Sequence, residues 1–194
     1  MRKVIAGINM TLDGYCDHTA IIPDEEIHQH YTDLLRNADT ILYGRITYQL
    51  MEYWRTLIYN PSGTKSMDDF ALVMDSIPKI VFSHTLKNVD WPSSKLSNQP
   101  IEEVVSELKH SRPASGGGGS KDILVGSRSL IMHLLKLNLI DEFQLCIHPV
   151  IAGSGLPLFE NLNDRTTLKL LSTKTFSGGA VILYYEPTND KPNE

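Results

Sequence analysis

Apolar positions fall into short continuous runs that alternate with stretches of helical spacing. Residues 4–8, Val4-Ile5-Ala6-Gly7-Ile8, read as a strand buried on both faces, leading into a long polar loop over 9–20. After Pro23 the period changes. Asp24, Glu25 and Glu26 form an acidic helix start, and Ile27, Tyr31, Leu34, Leu35 and Ala38 follow at helical spacing. Residues 40–43 are the next strand, ending in Gly44-Arg45, with Thr47 as cap of a helix through Tyr48, Leu50, Met51 and Trp54. Ser66-Met67-Asp68-Asp69 resembles a capping box opening a helix through Phe70, Val73 and Met74, which Pro78 stops. A strand over 79–83, an irregular polar stretch over 84–99 and a helix over 101–109 come next. A strand over 122–125 then turns at Gly126-Ser127 into a helix over 129–137.

The last third changes character. A strand over 142–147, a glycine-containing loop over 149–157, and apolar runs at 167–176 and 180–186 around Gly178-Gly179 predict an antiparallel half ending in a hairpin. Together these elements predict an α/β domain over 1–186: a mixed, mainly parallel sheet with helices on both faces and a C-terminal antiparallel hairpin. The Gly/Ser-rich segment 111–120 reads as a flexible surface connection within that domain, and 187–194 as a polar tail.

The length of 194 residues suits one domain, and 41% hydrophobic with 21% charged residues is a globular composition. A net charge of -5 disfavours binding to nucleic-acid phosphates, although a local basic pocket can still hold one small anion. The apolar run at the N-terminus is too short for a secretion signal or a membrane span. Cys16 and Cys146 then read as reduced thiols of a cytoplasmic protein. No metal site is expected, since His28 and His30 face different ways on a helix and Cys16 with His18 lacks further ligands.

Two turns carry the candidate chemistry: Tyr43-Gly44-Arg45-Ile46-Thr47 and Val125-Gly126-Ser127-Arg128-Ser129. Each joins a buried strand to a helix N-terminus, where unpaired N–H groups and the helix dipole face anions. Arg45 and Arg128 add charge, and Thr47, Ser127 and Ser129 add hydroxyl donors. The alternative is that the glycines only make the turns, Thr47 and Ser129 cap helices, and the arginines face solvent.

Four motifs in this order resemble a known family. They are Thr11-Leu12-Asp13-Gly14; Ala38-Asp39-Thr40-Ile41-Leu42-Tyr43-Gly44-Arg45-Ile46-Thr47-Tyr48; Lys121-Asp122-Ile123-Leu124-Val125-Gly126-Ser127; and Ile140-Asp141-Glu142 continuing to His148-Pro149-Val150-Ile151-Ala152-Gly153-Ser154-Gly155-Leu156-Pro157-Leu158-Phe159. They look like the stand-alone bacterial dihydrofolate-reductase-like proteins related to the C-terminal reductase domain of bifunctional riboflavin-biosynthesis enzymes. The resemblance implies the dihydrofolate reductase fold, NADPH as hydride donor without metal or flavin, a small planar heterocycle of pteridine or aminopyrimidine type as substrate, and a homodimer.

Carried over by motif, Gly44, Arg45 and Thr47 would bind the cofactor's 2′-phosphate and pyrophosphate region. Ser83 and His84 would lie near the adenosine, and Gly126, Ser127, Arg128 and Ser129 would seat the pyrophosphate. Relatives commonly carry more small residues where this chain has Gly126-Ser127-Arg128, and the Arg128 charge is a candidate compensation. Asp13 would either meet the substrate or order its loop. The resemblance also implies a proton donor early in the first helix: counting forward from Pro23 points to Glu25 and counting back from Gly44 to His28, whereas on their own terms Glu25 complements the helix dipole and His28 sits on the helix surface. Tyr48, Gly153 and Ser154 are candidate pocket lining. The second reading is a nucleotide-binding sensor or assembly module on the same fold that has lost catalysis.

Overall fold

The computed structural model describes residues 2–111, 121–162 and 165–188. The chain runs β1 (Val4–Thr11), α1 (Glu25–Arg36), β2 (Ala38–Gly44), α2 (Arg45–Tyr59), α3 (Lys65–Ser76), β3 (Lys79–Phe82), β4 (Ser94–Ser97), α4 (Ile101–His110), β5 (Asp122–Val125), α5 (Arg128–Lys136), β6 (Glu142–His148), β7 (Leu168–Thr175) and β8 (Val181–Pro187). The strands form one sheet in the order β4-β3-β2-β5-β1-β6-β8-β7.

Alternation along the central strands sorts the core into two layers. Leu42, Ile123 and Val125 face α4 and α5, packing with Val104, Val105, Ile131 and Leu134. Ile41, Tyr43 and Leu124 face the other side, against Leu35 of α1, Tyr48 of α2, and Phe70 and Met74 of α3. Strands buried on both faces must be apolar at successive positions, which is why they read as continuous runs.

Several expectations are corrected. β1 runs on to Thr11 rather than ending at Ile8, because pairing with β6 continues through Thr11 and His148. β6 itself is parallel to β1 and antiparallel only to β8, so the antiparallel part begins later than expected. The helix α5 makes this a crossover connection, which returns the chain in the same direction. The polar stretch 84–99 hides the edge strand β4, parallel to β3, whose single apolar residue Leu96 gives no periodicity to read.

α2 starts at Arg45 with Gly44 as N-cap, ahead of Thr47, and α5 starts at Arg128. Ser66 caps nothing; Asp68 instead reaches back to the N–H of Ser62 at 2.8 Å and of Gly63 at 3.2 Å. Residues 112–120 of the expected connection and 189–194 of the tail lie outside the described residues. Pro187 closes β8, and the Thr188 N–H donates to the Thr167 carbonyl at 2.9 Å, so the hairpin extends into the expected tail.

The amino ends of the central strands are tied by charge. Arg2 pairs with Asp39 at 3.1 Å, both nearly fully buried, bridging the starts of β1 and β2 past the intervening β5. The Lys3 N–H donates to Asp122 at the start of β5, and the Val4 N–H donates to Asp141 just before β6. The candidate chemistry collects at the opposite, carboxyl ends.

Candidate functional site

β5 stops at Val125, level with Ala6 of β1 and Leu42 of β2. β1 continues past it, paired only with β6 from Gly7 to Thr11. The result is a notch above the end of β5. Its floor is Gly126-Ser127, one wall is Gly44 with the start of α2, and the other is the free edge of β1. Ligands of open α/β sheets settle at such carboxyl ends, where neighbouring crossovers leave on opposite faces.

Two helix N-termini meet in this notch. The Gly44 N–H donates to Ser127 Oγ at 2.8 Å, a buried bond between residues far apart in sequence. A Cβ built on Gly44 would lie 3.3 Å from Ser129 Oγ. Neither α2 nor α5 has a side-chain cap, and among the five described helices only these two carry no acid in the first turn. Their first N–H groups and positive dipole ends are therefore unopposed, side by side.

Arg45 is exposed on the first turn of α2, where its guanidinium donates to Gln49 Oε1 at 3.2 Å. Thr47 is half-buried one position past Ile46 on the same turn. Phe82 pairs with Gly44, so Ser83 and His84 lie one strand further out along the same edge. His84 is exposed, while Ser83 Oγ accepts from the N–H groups of Thr85 and Leu86 and shapes that turn.

Arg128 does not supply the expected charge to the notch. Its Nε donates to the Pro157 carbonyl and its guanidinium pairs with Glu160, so it braces the loop after β6 against α5. The lack of a side chain at Gly126 has a packing cause as well: a Cβ there would stand 2.9 Å from Cε1 of the buried Tyr43 ring. Gly126→Ala is accordingly expected to cost about 1–3 kcal/mol through overpacking, read as an earlier urea midpoint at unchanged slope; an unaltered midpoint would mean the ring moves freely.

The expected acids are placed elsewhere. Asp13 orders its loop: its carboxylate accepts from Thr11 Oγ1 at 2.6 Å, the Ala152 N–H at 3.1 Å and the Gly153 N–H at 2.7 Å. These bonds, the Thr11 hydroxyl first, hold it down to about 2, the reverse of what a proton donor needs. Backbone bonds from Leu12 to Val150, Cys16 to Leu156 and Leu158 to Gly14 complete a zipper between the two loops, with Gly153 at positive φ. Ser154 is exposed on the same loop.

Because the Asp13 pKa is depressed in the fold, its tie is at full strength above the ordinary carboxylate range and is lost as pH falls toward 2. Asp13→Ala is expected to speed amide exchange at Ala152 and Gly153 at neutral pH, whereas unchanged exchange there would dismiss the clamp.

Glu25 is exposed on the first turn of α1 and lines an outer groove of about 480 Å³ with Glu26, His30, Lys65 and Lys174, away from the notch. His28 packs edge-on against Trp54, 5.5 Å between ring centres, and lies 6.2 Å from Phe70; burial there lowers its pKa. Tyr48 is a core residue rather than pocket lining, buried with its hydroxyl 3.3 Å from the Trp91 N–H.

A polar cluster on the β1 wall was not read from the sequence. Asn9 Oδ1 accepts from Tyr31 Oη at 3.1 Å and lies 3.0 Å from His148 Nε2, which is 3.6 Å from Cys146 Sγ. A polar residue at the end of an apolar strand was the available signal, but its partners come from α1 and β6. Cys16 and Cys146 are free thiols, and no cluster of metal-ligating side chains occurs among the described residues. No described helix is long and apolar enough to cross a membrane.

Comparison with known proteins agrees with this architecture. The uncharacterized protein YyaP of Bacillus subtilis (strain 168) is 35% identical over 192 residues, covering 95% of this chain and 94% of its own. YwjB of the same organism is 28% identical over 190 residues, covering 95% of this chain and 97% of its own. Among solved structures, a putative riboflavin biosynthesis protein from Shewanella sp. PV-4 superposes with a TM-score of 0.70 at 20% identity, over 96% of this chain and 99% of that one. Dihydrofolate reductase from Enterococcus faecalis, solved with NADP(H), superposes with a TM-score of 0.60 at 11% identity, over 97% of each chain. The model of the RibD C-terminal domain matches residues 2–182, and with the dihydrofolate-reductase-like sheet and hairpin in place the chain belongs to the RibD C-terminal domain family.

Proposed function

We propose that this protein is an NADPH-dependent reductase of a small planar heterocycle, of pteridine or aminopyrimidine type. The family is reductase-type, and the observation that carries the cofactor is the meeting of two uncapped, acid-free helix N-termini at the Gly44–Ser127 bond. That arrangement suits a dinucleotide's separated phosphates. Arg45, which has no ionic partner among the described residues, is the cation for a ribose 2′-phosphate, with Thr47 beside it, and the starts of both helices hold the pyrophosphate. Ser83 and His84 border the adenosine side. When bound, the cofactor supplies the hydride.

The chain's own work is positioning and exclusion of water. The zipped loops 11–16 and 150–158 wall the β1 side of the notch, with Asp13 as their tie and Arg128 as their brace. Asp13, Glu25 and His28 are engaged elsewhere or face away, so this reading takes the proton from water. The protein works as a homodimer in the cytoplasm. Edge strand β7, exposed along nearly its whole length with Leu170 and Leu171 among its open positions, is the surface such a pairing would cover.

The test is calorimetric titration of NADPH and NADH, followed by turnover across a heterocycle panel. Cofactor binding with turnover supports the reading. Binding without turnover favours a sensor, and absence of binding rejects the cofactor site.

A further inference from the structure

Asn9 stands midway along the stretch of β1 that overhangs β5, on the face covered by α1, and is half-buried. Its carboxamide orientation is set by what surrounds it. Tyr31 Oη donates to Oδ1, and His148 Nε2 approaches the same oxygen. The Tyr31 hydroxyl at that distance donates to an acceptor, which turns the oxygen toward it and the NH₂ away, and the Nε2–H tautomer of His148 meets the same oxygen.

The partners are fixed in turn. His148 and Cys146 are buried, and Tyr31 and Cys146 lie within hydrogen-bond reach of each other. Burial lowers the His148 pKa and pushes the Cys146 thiol up to about 12, so the ring of four side chains is uncharged at neutral pH. Asp24, the α1 N-cap, is the charged group facing His148 and Cys146, but its carboxylate is occupied by the Ile27 N–H at 2.9 Å. With the imidazole neutral, the tautomer that fits an Asn9 oxygen already accepting from Tyr31 is the one with its N–H on Nε2. Among the described residues nothing accepts from Asn9 Nδ2, and that nitrogen is not sealed in the interior.

We propose that Asn9 is a specificity-determining residue, whose locked carboxamide presents N–H donors at the β1 wall of the notch and selects a heterocycle bearing a hydrogen-bond acceptor there, a lactam carbonyl rather than an amino group. This rests on the reductase reading above and narrows its substrate. A rotating asparagine would accept either group, whereas one with its oxygen held by two donors accepts only one. An amino substituent facing it would leave two donors opposed, and sites built for one hydrogen-bond polarity reject the other strongly.

The test titrates NADPH-loaded protein by calorimetry with matched planar heterocycles that differ only in carrying C=O or C–NH₂ at one position. Wild type is expected to bind the lactam at least about tenfold tighter, the size of one well-made hydrogen bond to an otherwise unpaired group. Asn9→Asp keeps an acceptor oxygen for Tyr31 and His148, so the fold is retained, but removes the donors; the preference is expected to vanish or reverse. Asn9→Leu should lose lactam affinity alone. The Asn9 side-chain amide resonance, identified by its loss in both variants, should move on lactam binding.

A purely structural Asn9 would weaken both ligands equally and leave their ratio unchanged, which overturns the proposal. Equal binding of the pair by wild type also overturns it, with the reductase reading intact. If wild type takes up neither NADPH nor any heterocycle, the reductase reading fails and the substrate role of Asn9 with it.

Discussion

Asp39→Ala is expected to destabilise the protein by about 3–5 kcal/mol, the usual cost of stranding one member of a buried ion pair. Arg2 and Asp39 side chains are only 2% and 6% exposed, at 3.1 Å, so screening by water relieves little of the charge left on Arg2. For a chain of this size that corresponds to a melting temperature lower by roughly 10 °C. The loss should be shared by β1, β5 and β2, since the pair spans the amino ends of all three. Thermal and urea unfolding of Asp39→Ala and of the double variant Arg2→Met/Asp39→Leu check this. The double variant should recover most of the loss, because removing both charges leaves neither desolvated and alone. A single variant as stable as wild type would show that Arg2 reaches water on its own.

The contrast between the two ends of the sheet explains what could be read from sequence. The central strands were legible because burial on both faces demands unbroken apolar runs, and the helices because Ile27, Tyr31 and Leu35 repeat at the helical period. The anion seats were legible because a strand, a glycine bend and a helix start are consecutive in the chain. What joins them was not: the Gly44–Ser127 bond depends on β2 and β5 being neighbours. Asp13 shows the same divide. Asp-Gly marked a turn locally, but its acceptor role toward Ala152 and Gly153 exists only once β1 and β6 run parallel.

Arg128 shows a second limit. An arginine at a helix start has the same local signature whether it faces a phosphate or braces a neighbouring loop, and here Pro157 and Glu160 decide. His28 reads as a surface helix position until α2 and α3 bring Trp54 and Phe70 to it. The Asn9 cluster, drawn from β1, α1 and β6, had no sequence signal beyond one polar residue just after an apolar run.

That leaves Arg45 as the one arginine of the two turns with no ionic partner among the described residues, and replacing it separates charge from shape at the proposed cofactor site. Arg45→Ala is expected to weaken NADPH binding about 10- to 100-fold, the equivalent of about 1.5–3 kcal/mol for charge-assisted hydrogen bonds, and to leave NADH within about twofold. Arg45 is exposed, so the variant should melt with wild type. Gly44→Val asks the complementary question. The backbone at Gly44 has φ -81, open to any residue, but a branched side chain would grow from a Cβ 3.3 Å from Ser129 Oγ into the space between the two helix starts. Both cofactors should then be lost together, because the obstruction lies at the pyrophosphate seat they share. Calorimetric titration of each variant with each cofactor distinguishes the cases. Equal losses of NADPH and NADH in Arg45→Ala would move the 2′-phosphate elsewhere, and undiminished binding in Gly44→Val would remove the joined helix starts from the cofactor's path.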